Sequence, residues 1–206
     1  IAGGQVRAGN LLDVLATTTA LLVQGRSAVR IGEGARIDVG GGWSNALTQP
    51  GEGARQAWID GGSVELQNSH DVVLGDGAAI LADAGGLIDA KGKGQIGKGG
   101  SASLTASSAK VSADGSGRVV LGEGSHFSGR GGSGRGSFSL ASGGRVQIGE
   151  GGADDAALKL QASLFGSGFG SYDINGHQGL TVADGTQLVV AAPGLRMTDA
   201  ARRAGS

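Results

Sequence analysis

Apolar and polar residues alternate over short runs along this chain, and each run stops at a glycine-rich break. The sharpest form reads apolar, any, apolar, Gly or Ala, acid, Gly. It occurs as Val29-Arg30-Ile31-Gly32-Glu33-Gly34, Val72-Val73-Leu74-Gly75-Asp76-Gly77 and Val119-Val120-Leu121-Gly122-Glu123-Gly124. Two further copies are Val146-Gln147-Ile148-Gly149-Glu150-Gly151 and Leu180-Thr181-Val182-Ala183-Asp184-Gly185. A second box, Gly-Ser-x-x-Leu, begins at Gly62, Gly100 and Gly136. The apolar members of each triplet fall on one face of a strand, because side chains alternate with period two. After the acid-Gly turn comes a third alternating run, Ala35, Ile37, Val39 in one copy and Ala78, Ile80, Ala82 in another.

Three short strands joined by glycine-rich corners, at roughly twenty residues per cycle, predict the coil of a parallel β-helix. Glycine suits the corners because it takes positive φ without a Cβ clash. The fold class expected is therefore all-β, a solenoid with about three short strands per coil. Spacing between boxes is uneven, which predicts loops bulging from the rod near 43–58, 91–98 and 165–178. The shaft is assigned to residues 1–192. Residues 193–206 are expected to form a C-terminal tail, a short helix or a frayed end.

Composition sharpens this picture. Glycine contributes 44 of 206 residues, aromatics 3%, proline two residues and cysteine none. So much glycine without a strict triplet period usually marks disorder, but a net charge of -1 and the recurring alternation argue for a folded chain with a thin core. Few aromatics predict a narrow cross-section filled by small aliphatics. Without cysteine there is neither a disulfide framework nor a thiolate metal site. The apolar stretch Leu11 to Val23 is too short and too polar for a membrane span, so no membrane insertion is expected. The chain starts at Ile1 without a leader pattern and is expected to be a piece of a larger protein.

Three stretches carry a resemblance: Ile37-Asp38-Val39-Gly40-Gly41-Gly42-Trp43, Trp58-Ile59-Asp60-Gly61-Gly62-Ser63-Val64 and Gly94-Gln95-Ile96-Gly97-Lys98-Gly99-Gly100. From about residue 29 onward the chain resembles the large exoproteins of two-partner secretion, the filamentous haemagglutinin family. The resemblance implies a right-handed parallel β-helix at the bacterial cell surface or secreted, serving adhesion, biofilm formation or toxin delivery. It implies host or bacterial cell-surface glycans or proteins as partners. It also implies an outer-membrane transporter that acts on a domain outside this segment, since no Asn-Pro-Asn-Gly type motif is found here. The expected role is a structural and adhesive shaft; the alternatives are a toxin-delivery stick and a polysaccharide-active β-helix enzyme.

Candidate chemistry changes this reading little. Gly92-Lys93-Gly94-Gln95-Ile96-Gly97 matches a dinucleotide fingerprint, and Gly92 to Lys98 nearly matches a phosphate loop, but both need a helix where a turn and strand are predicted. The box acids Glu33, Asp76, Glu123, Glu150 and Asp184 would align along one rod edge; solvated corner positions are favoured over a calcium ladder. For a lyase or glycosidase, Asp38, Asp60, Asp89 and Lys91 are the candidates, falling at strand ends, and Asp154-Asp155 is the one acidic doublet. His70, His126 and His177 are scattered, and Ser125 beside His126 faces the opposite side of its strand. No catalytic, cofactor or metal residue is therefore assigned. Arg118, Arg130, Arg135 and Arg145, with Lys91, Lys93 and Lys98, make the middle basic, but aromatic interleaving is missing and nucleic acid is not expected. Trp43 and Trp58 flank a loop, where they either pack together or stack on sugar rings as a ligand-contact pair.

Overall fold

The computed structural model describes residues 4–8, 20–25, 28–45, 58–106, 117–132, 134–151, 154 and 156–200. These build an all-β protein whose main sheets are parallel and form no barrel. The chain winds in successive passes. β1 (Gly4–Ala8) runs antiparallel to β2 (Ala20–Gly25), and β2 leads into β3 (Val29–Ile31), β4 (Arg36–Asp38) and β5 (Trp43–Asn45). The second pass holds β6 (Ser63–Asn68), β7 (Val72–Leu74), β8 (Ala79–Leu81), β9 (Gly86–Ile88) and β10 (Gly94–Ile96). In the third are β11 (Ser101–Ala106), β12 (Val119–Leu121) and β13 (His126–Ser128). The fourth comprises β14 (Ser137–Ser142), β15 (Val146–Ile148), β16 (Leu158–Leu160) and a short 3-10 helix, Ala162–Gly166. β17 (Ser171–Gly176) and β18 (Leu180–Val182) open a fifth.

The two boxes are the two strand types. Gly-Ser-x-x-Leu starts β6, β11 and β14, and these long strands stack with β2 and β17 in the order β2-β6-β11-β14-β17, with β1 outside β2. Their register aligns Leu66 with Leu104, Leu104 with Leu140, and Leu140 with Ile174, so one column of aliphatic side chains fills the interior. All five apolar triplets of the first box are strands, and Val29, Val72 and Val119 stack on one another. In β6 Val64, Leu66 and Asn68 are buried while Glu65 and Gln67 are exposed, and in β11 Ala102, Leu104 and Ala106 are buried between half-buried neighbours, as alternation against a core requires. In the turns, Gly34, Gly77, Gly124 and Gly185 adopt φ of 61°, 64°, 68° and 74°, the left-handed conformation the spacing predicts for the residue after the acid.

Glycine has a second use that the repeat pattern does not reveal. Where the chain returns to begin a long strand, successive passes touch backbone to backbone. Gly100 donates its N–H to the Ala82 carbonyl at 2.7 Å, and Gly170 donates to Gly136 at 2.9 Å. A Cβ on Gly136 would overlap the Gly100 carbonyl, and one on Gly100 would overlap the Gly62 carbonyl. No side chain fits between layers spaced at about 4.8 Å when both main chains occupy the gap.

Three expectations need correction. Residues that meet across one step of the stack are 36, 38 or 47 apart, as in Ser139 on Ser103, Lys98 on Asp60 and Glu123 on Asp76. A pass is thus about twice the expected twenty residues, because each holds one long strand and at least two short ones with their connections, and the first two passes add the β5-β9-β10 side sheet. Residues 165–178 are not a bulge: they contain β17, which pairs with β14 along all six residues. The core is not purely aliphatic either. The chain's four phenylalanines and its single tyrosine gather at one place, with Phe138 5.0 Å from Phe127 and 5.7 Å from Phe169, and Tyr172 5.0 Å from Phe165. They fill the interior where the 3-10 helix stands in the fourth pass instead of a strand over β13.

The predicted loop near 91–98 is the turn and second strand of a hairpin, β9 antiparallel to β10. From Thr186 the chain descends along the stack: Ala191 donates to the Phe165 carbonyl and Leu195 to the Gly131 carbonyl, both at 3.0 Å. Residues 199–200 are helical, and 201–206 lie outside the described residues. Among the described residues no helix is long and apolar enough to cross a membrane.

Candidate functional site

The aspartates at the corners are structural clamps between passes. Asp71 Oδ1 accepts the main-chain N–H of Arg118 at 2.9 Å, Asp76 Oδ1 that of Glu123 at 2.8 Å, and Asp83 Oδ1 that of Arg130 at 2.7 Å. All three pairs span 47 residues, so the second pass is tied to the third at each corner. Asp83 is the most elaborate. Ser128 Oγ donates to it at 2.6 Å, and the Arg130 guanidinium reaches Oδ2 at 2.7 and 3.1 Å. Burial pushes the Asp83 carboxyl up, but the hydrogen bonds from Arg130 and Ser128 outweigh it and hold the group below the usual carboxylate range.

The hydrolase candidates Asp38, Asp60 and Asp89 and the acid Asp154 are engaged as well. Asp38 accepts from the Gly40 N–H and from Arg36, which together lower its pKa. Asp60 Oδ1 accepts the Lys98 N–H at 2.7 Å, and Asp89 Oδ1 accepts those of Lys91 and Lys93 at 2.9 and 2.8 Å. Asp154 pairs with Arg145 at 2.6 Å, and that hydrogen bond lowers its pKa; Asp155 lies outside the described residues. All five box acids are exposed, as expected for corner positions, and Asp76 in addition clamps the main chain of the next pass. Among the described residues no three of His, Asp and Glu converge as a metal site would require. Gly92 to Gly97 is the β9–β10 turn and strand β10, with no helix to present amides to a phosphate.

The basic residues divide. Arg130 and Arg145 hold Asp83 and Asp154, and Arg135 Nε donates to the Ala192 carbonyl, fastening the descending C-terminal segment. Arg118 packs its stem beside Gly144. His126 is exposed on β13, and Ser125 Oγ donates to the Gly122 carbonyl rather than to a histidine. His70 lies 3.2 Å from Ser69 Oγ, and His177 sits in the turn after β17.

Trp43 and Trp58 form a shoulder on the side sheet. Gly42 donates to the Trp58 carbonyl at 2.7 Å, which brings the two ends of the intervening segment together; residues 46–57 lie outside the described residues. Trp43 pairs with Gly86 of β9, and its ring covers the space a Cβ would occupy there. Trp43 is 61% exposed and Trp58 36%.

A second surface is a groove above the third pass. One part of it, of about 340 Å³, is lined by Leu121 to Phe127 on one side and Lys159 to Gln161, Ser163 and Leu164 on the other. An adjoining part of similar volume lies between Val119 to Leu121 and Ala156 to Lys159. β16 separates β12 from β15, so the fourth copy of the box does not stack on the third.

The fold places the chain among all-β proteins with stacked parallel sheets. No family model, curated protein or solved structure matches it.

Proposed function

We propose that this chain is a shaft segment of a large secreted bacterial surface exoprotein of the filamentous haemagglutinin type. In this reading it is a right-handed parallel β-helix with about three short strands per coil, and it presents an adhesive surface at a distance from the cell. The observation that carries the reading is the in-register stacking of β2, β6, β11, β14 and β17, in which β6, β11 and β14 repeat one box. Solenoid scaffolds of this kind gain length by nearest-neighbour contacts alone. The partners are host or bacterial cell-surface glycans or proteins, and an outer-membrane transporter engages a domain outside this segment. The exposed Trp43 and Trp58 rings are the contact surface, suited to stacking on sugar rings.

The test is retention of epithelial and bacterial cells, and of arrayed glycans, on immobilised chain. Trp43→Ala is expected to weaken retention by about tenfold while the far-UV circular dichroism stays unchanged. Equal retention by the Trp43→Ala, Trp58→Ala double variant would remove the shoulder from the account. Release of new reducing or unsaturated ends from polysaccharides, abolished by a single Asp substitution, would replace the shaft with an enzyme.

A further inference from the structure

The core is sealed in the middle passes and open at the top. β17 ends the long-strand stack and β18 ends the sheet β16-β15-β18, and among the described residues no strand lies above either. The apolar positions of the fifth pass continue the core columns but lack a cover. Leu180 and Val182 are 46% and 56% exposed, whereas Val146 and Ile148, their partners in β15, are 1% and 6%. Gln187 to Val190 follow the turn glycine Gly185 as β4, β8 and β13 follow Gly34, Gly77 and Gly124. Leu188 and Val190 are 42% and 57% exposed there, where Ile80 and Ala82 of the second pass are fully buried. Tyr172 and Ile174 of β17 are half-buried above the sealed Phe138 and Leu140. An apolar surface of this kind marks a contact site. The chain itself does not close it: beyond Val190 it runs down the stack, with Ala191 bonded to Phe165 and Leu195 to Gly131. The longer segments outside the described residues, 9–19, 46–57 and 107–116, connect strands of the first to third passes, and 201–206 hold two arginines and no large apolar residue.

The open edge of β17 is complementary to itself. His177 donates to the Ser142 carbonyl at 2.9 Å, in the pass below. Alternation along a parallel strand then directs the main-chain groups of Ser171, Asp173 and Asn175 to β14 as well, and those of Tyr172, Ile174 and Gly176 upward. Two such edges related by a twofold axis through Ile174 pair antiparallel, Ile174 on Ile174 and Tyr172 on Gly176, with the inward side chains of both on the core side. Gly176 has no side chain to obstruct the Tyr172 ring that faces it. Asp173 falls opposite Asn175, a carboxylate against an amide. Moving the axis to Asp173 would instead set two carboxylates directly opposite each other, which is destabilising. The axis through Ile174 also exchanges the two walls that flank the long-strand sheet, so Leu180 and Val182 of one copy meet Leu188 and Val190 of the other.

We propose that the fifth pass is a docking surface for a second copy of this chain, joined head to head so that one interface closes both cores. The contact is isologous: each residue pair occurs twice, and the same face supplies both halves of it. An unpaired strand edge is a template for pairing with another chain, and here the edge is continuous with an apolar layer that the same partner covers. Main-chain bonds between the β17 edges hold the pair, the Asp173 and Asn175 contact fixes the register, and the six apolar positions of the fifth pass are withdrawn from water. The site does not rest on the shaft reading, and neither falls with the other.

The test is sedimentation equilibrium of the full chain between about 1 and 200 μM, where a monomer–dimer equilibrium is expected. Val182→Asp places a charge on the apolar layer, and Asn175→Asp sets like charges opposite Asp173. Each is expected to weaken dimerisation by about tenfold or more. Asn175→Lys faces Asp173 with the opposite charge and is expected to dimerise as tightly as the parent chain or more so. These side chains are exposed in the single chain, so far-UV circular dichroism is expected to stay unchanged. The chain has no cysteine, so engineered ones report the register. A mixture of Asp173→Cys and Asn175→Cys chains is expected to form a disulfide-linked dimer, because Cα atoms of such a pair lie about 4.5 Å apart, within disulfide reach. Either variant alone is expected to cross-link far more slowly. A monomer at every concentration, a dimer indifferent to both Val182→Asp and Asn175→Asp, Asn175→Lys as damaging as Asn175→Asp, or equal cross-linking by the mixture and by either variant alone would each overturn the proposal.

Discussion

The carboxylate of Asp83 and the main chain and guanidinium of Arg130 are joined by three hydrogen bonds of 2.7, 3.1 and 2.7 Å across 47 residues of sequence. The pair ties two passes of the stack just past the end of the β8–β13 ladder, where Ala84 also donates to the Arg130 carbonyl at 2.8 Å. Both guanidinium N–H groups donate to Oδ2, and charge-assisted hydrogen bonds of this kind are stronger than neutral ones. Asp83→Asn keeps the shape and loses the charge, and is expected to cost about 1.5–3 kcal/mol of unfolding free energy. Urea titrations of Asp83→Asn, Arg130→Ala and the double variant check this. Additive losses would show that the two residues do not act together.

The same group sets an acid dependence. The pKa of Asp83 is lower in the folded state than its ordinary 3.8, so its contribution is present above that value and lost as pH falls through the folded one. Asp38 acts with the same sign. The hydrogen bond to Asp83 raises the pKa of Arg130, which stays charged throughout this range. The stability gap between wild type and Asp83→Asn is expected to be flat from about pH 6 to 8 and to close between about pH 5 and 2. Thermal melts across that series measure it.

Gly136→Ala is expected to destabilise by about 3 kcal/mol or more, because the new methyl overlaps the Gly100 carbonyl and neither main chain has room to yield. Gly32→Ala is the control: a Cβ there meets nothing within 4 Å, and its cost is expected to lie within about 0.5 kcal/mol. If the two variants melt alike, close backbone approach is not what glycine serves at the return corner.

Phe138 is fully buried between Phe127, Phe169 and Tyr172. Phe138→Ala is expected to cost about 3–5 kcal/mol, the range for an aromatic removed from a packed core. Phe138→Leu retains most of the volume and is expected to cost less than half as much. Chemical denaturation of the two variants separates aromatic packing from simple volume.

Five copies of the apolar box and three of Gly-Ser-x-x-Leu were legible as strands because period-two alternation and glycine turns are local properties. A fourth copy of the second box, Gly170-Ser171-Tyr172-Asp173-Ile174, stands in the sequence with Ile for Leu; allowing any apolar residue at that position reveals β17. Trp43 and Trp58 were recognisable as a pair flanking one segment, and the structure joins the ends of that segment through Gly42 and the Trp58 carbonyl. The groove was not legible. It exists because β16, a Leu-x-Leu run outside the box pattern, lies between β12 and β15, and sequence carries no sign of which strand an edge will meet.

The sequence by itself determined the strand type, the turn glycines and the inward face, since each depends on neighbours within a few residues. Only the tertiary structure decided how many residues make a pass and which corner carboxylate clamps which main chain. It also decided that glycine at the return corners serves contact rather than φ. These depend on groups 36 to 47 residues apart meeting across a single layer, as Ser139 meets Ser103 and Arg130 meets Asp83, and no local pattern encodes that meeting.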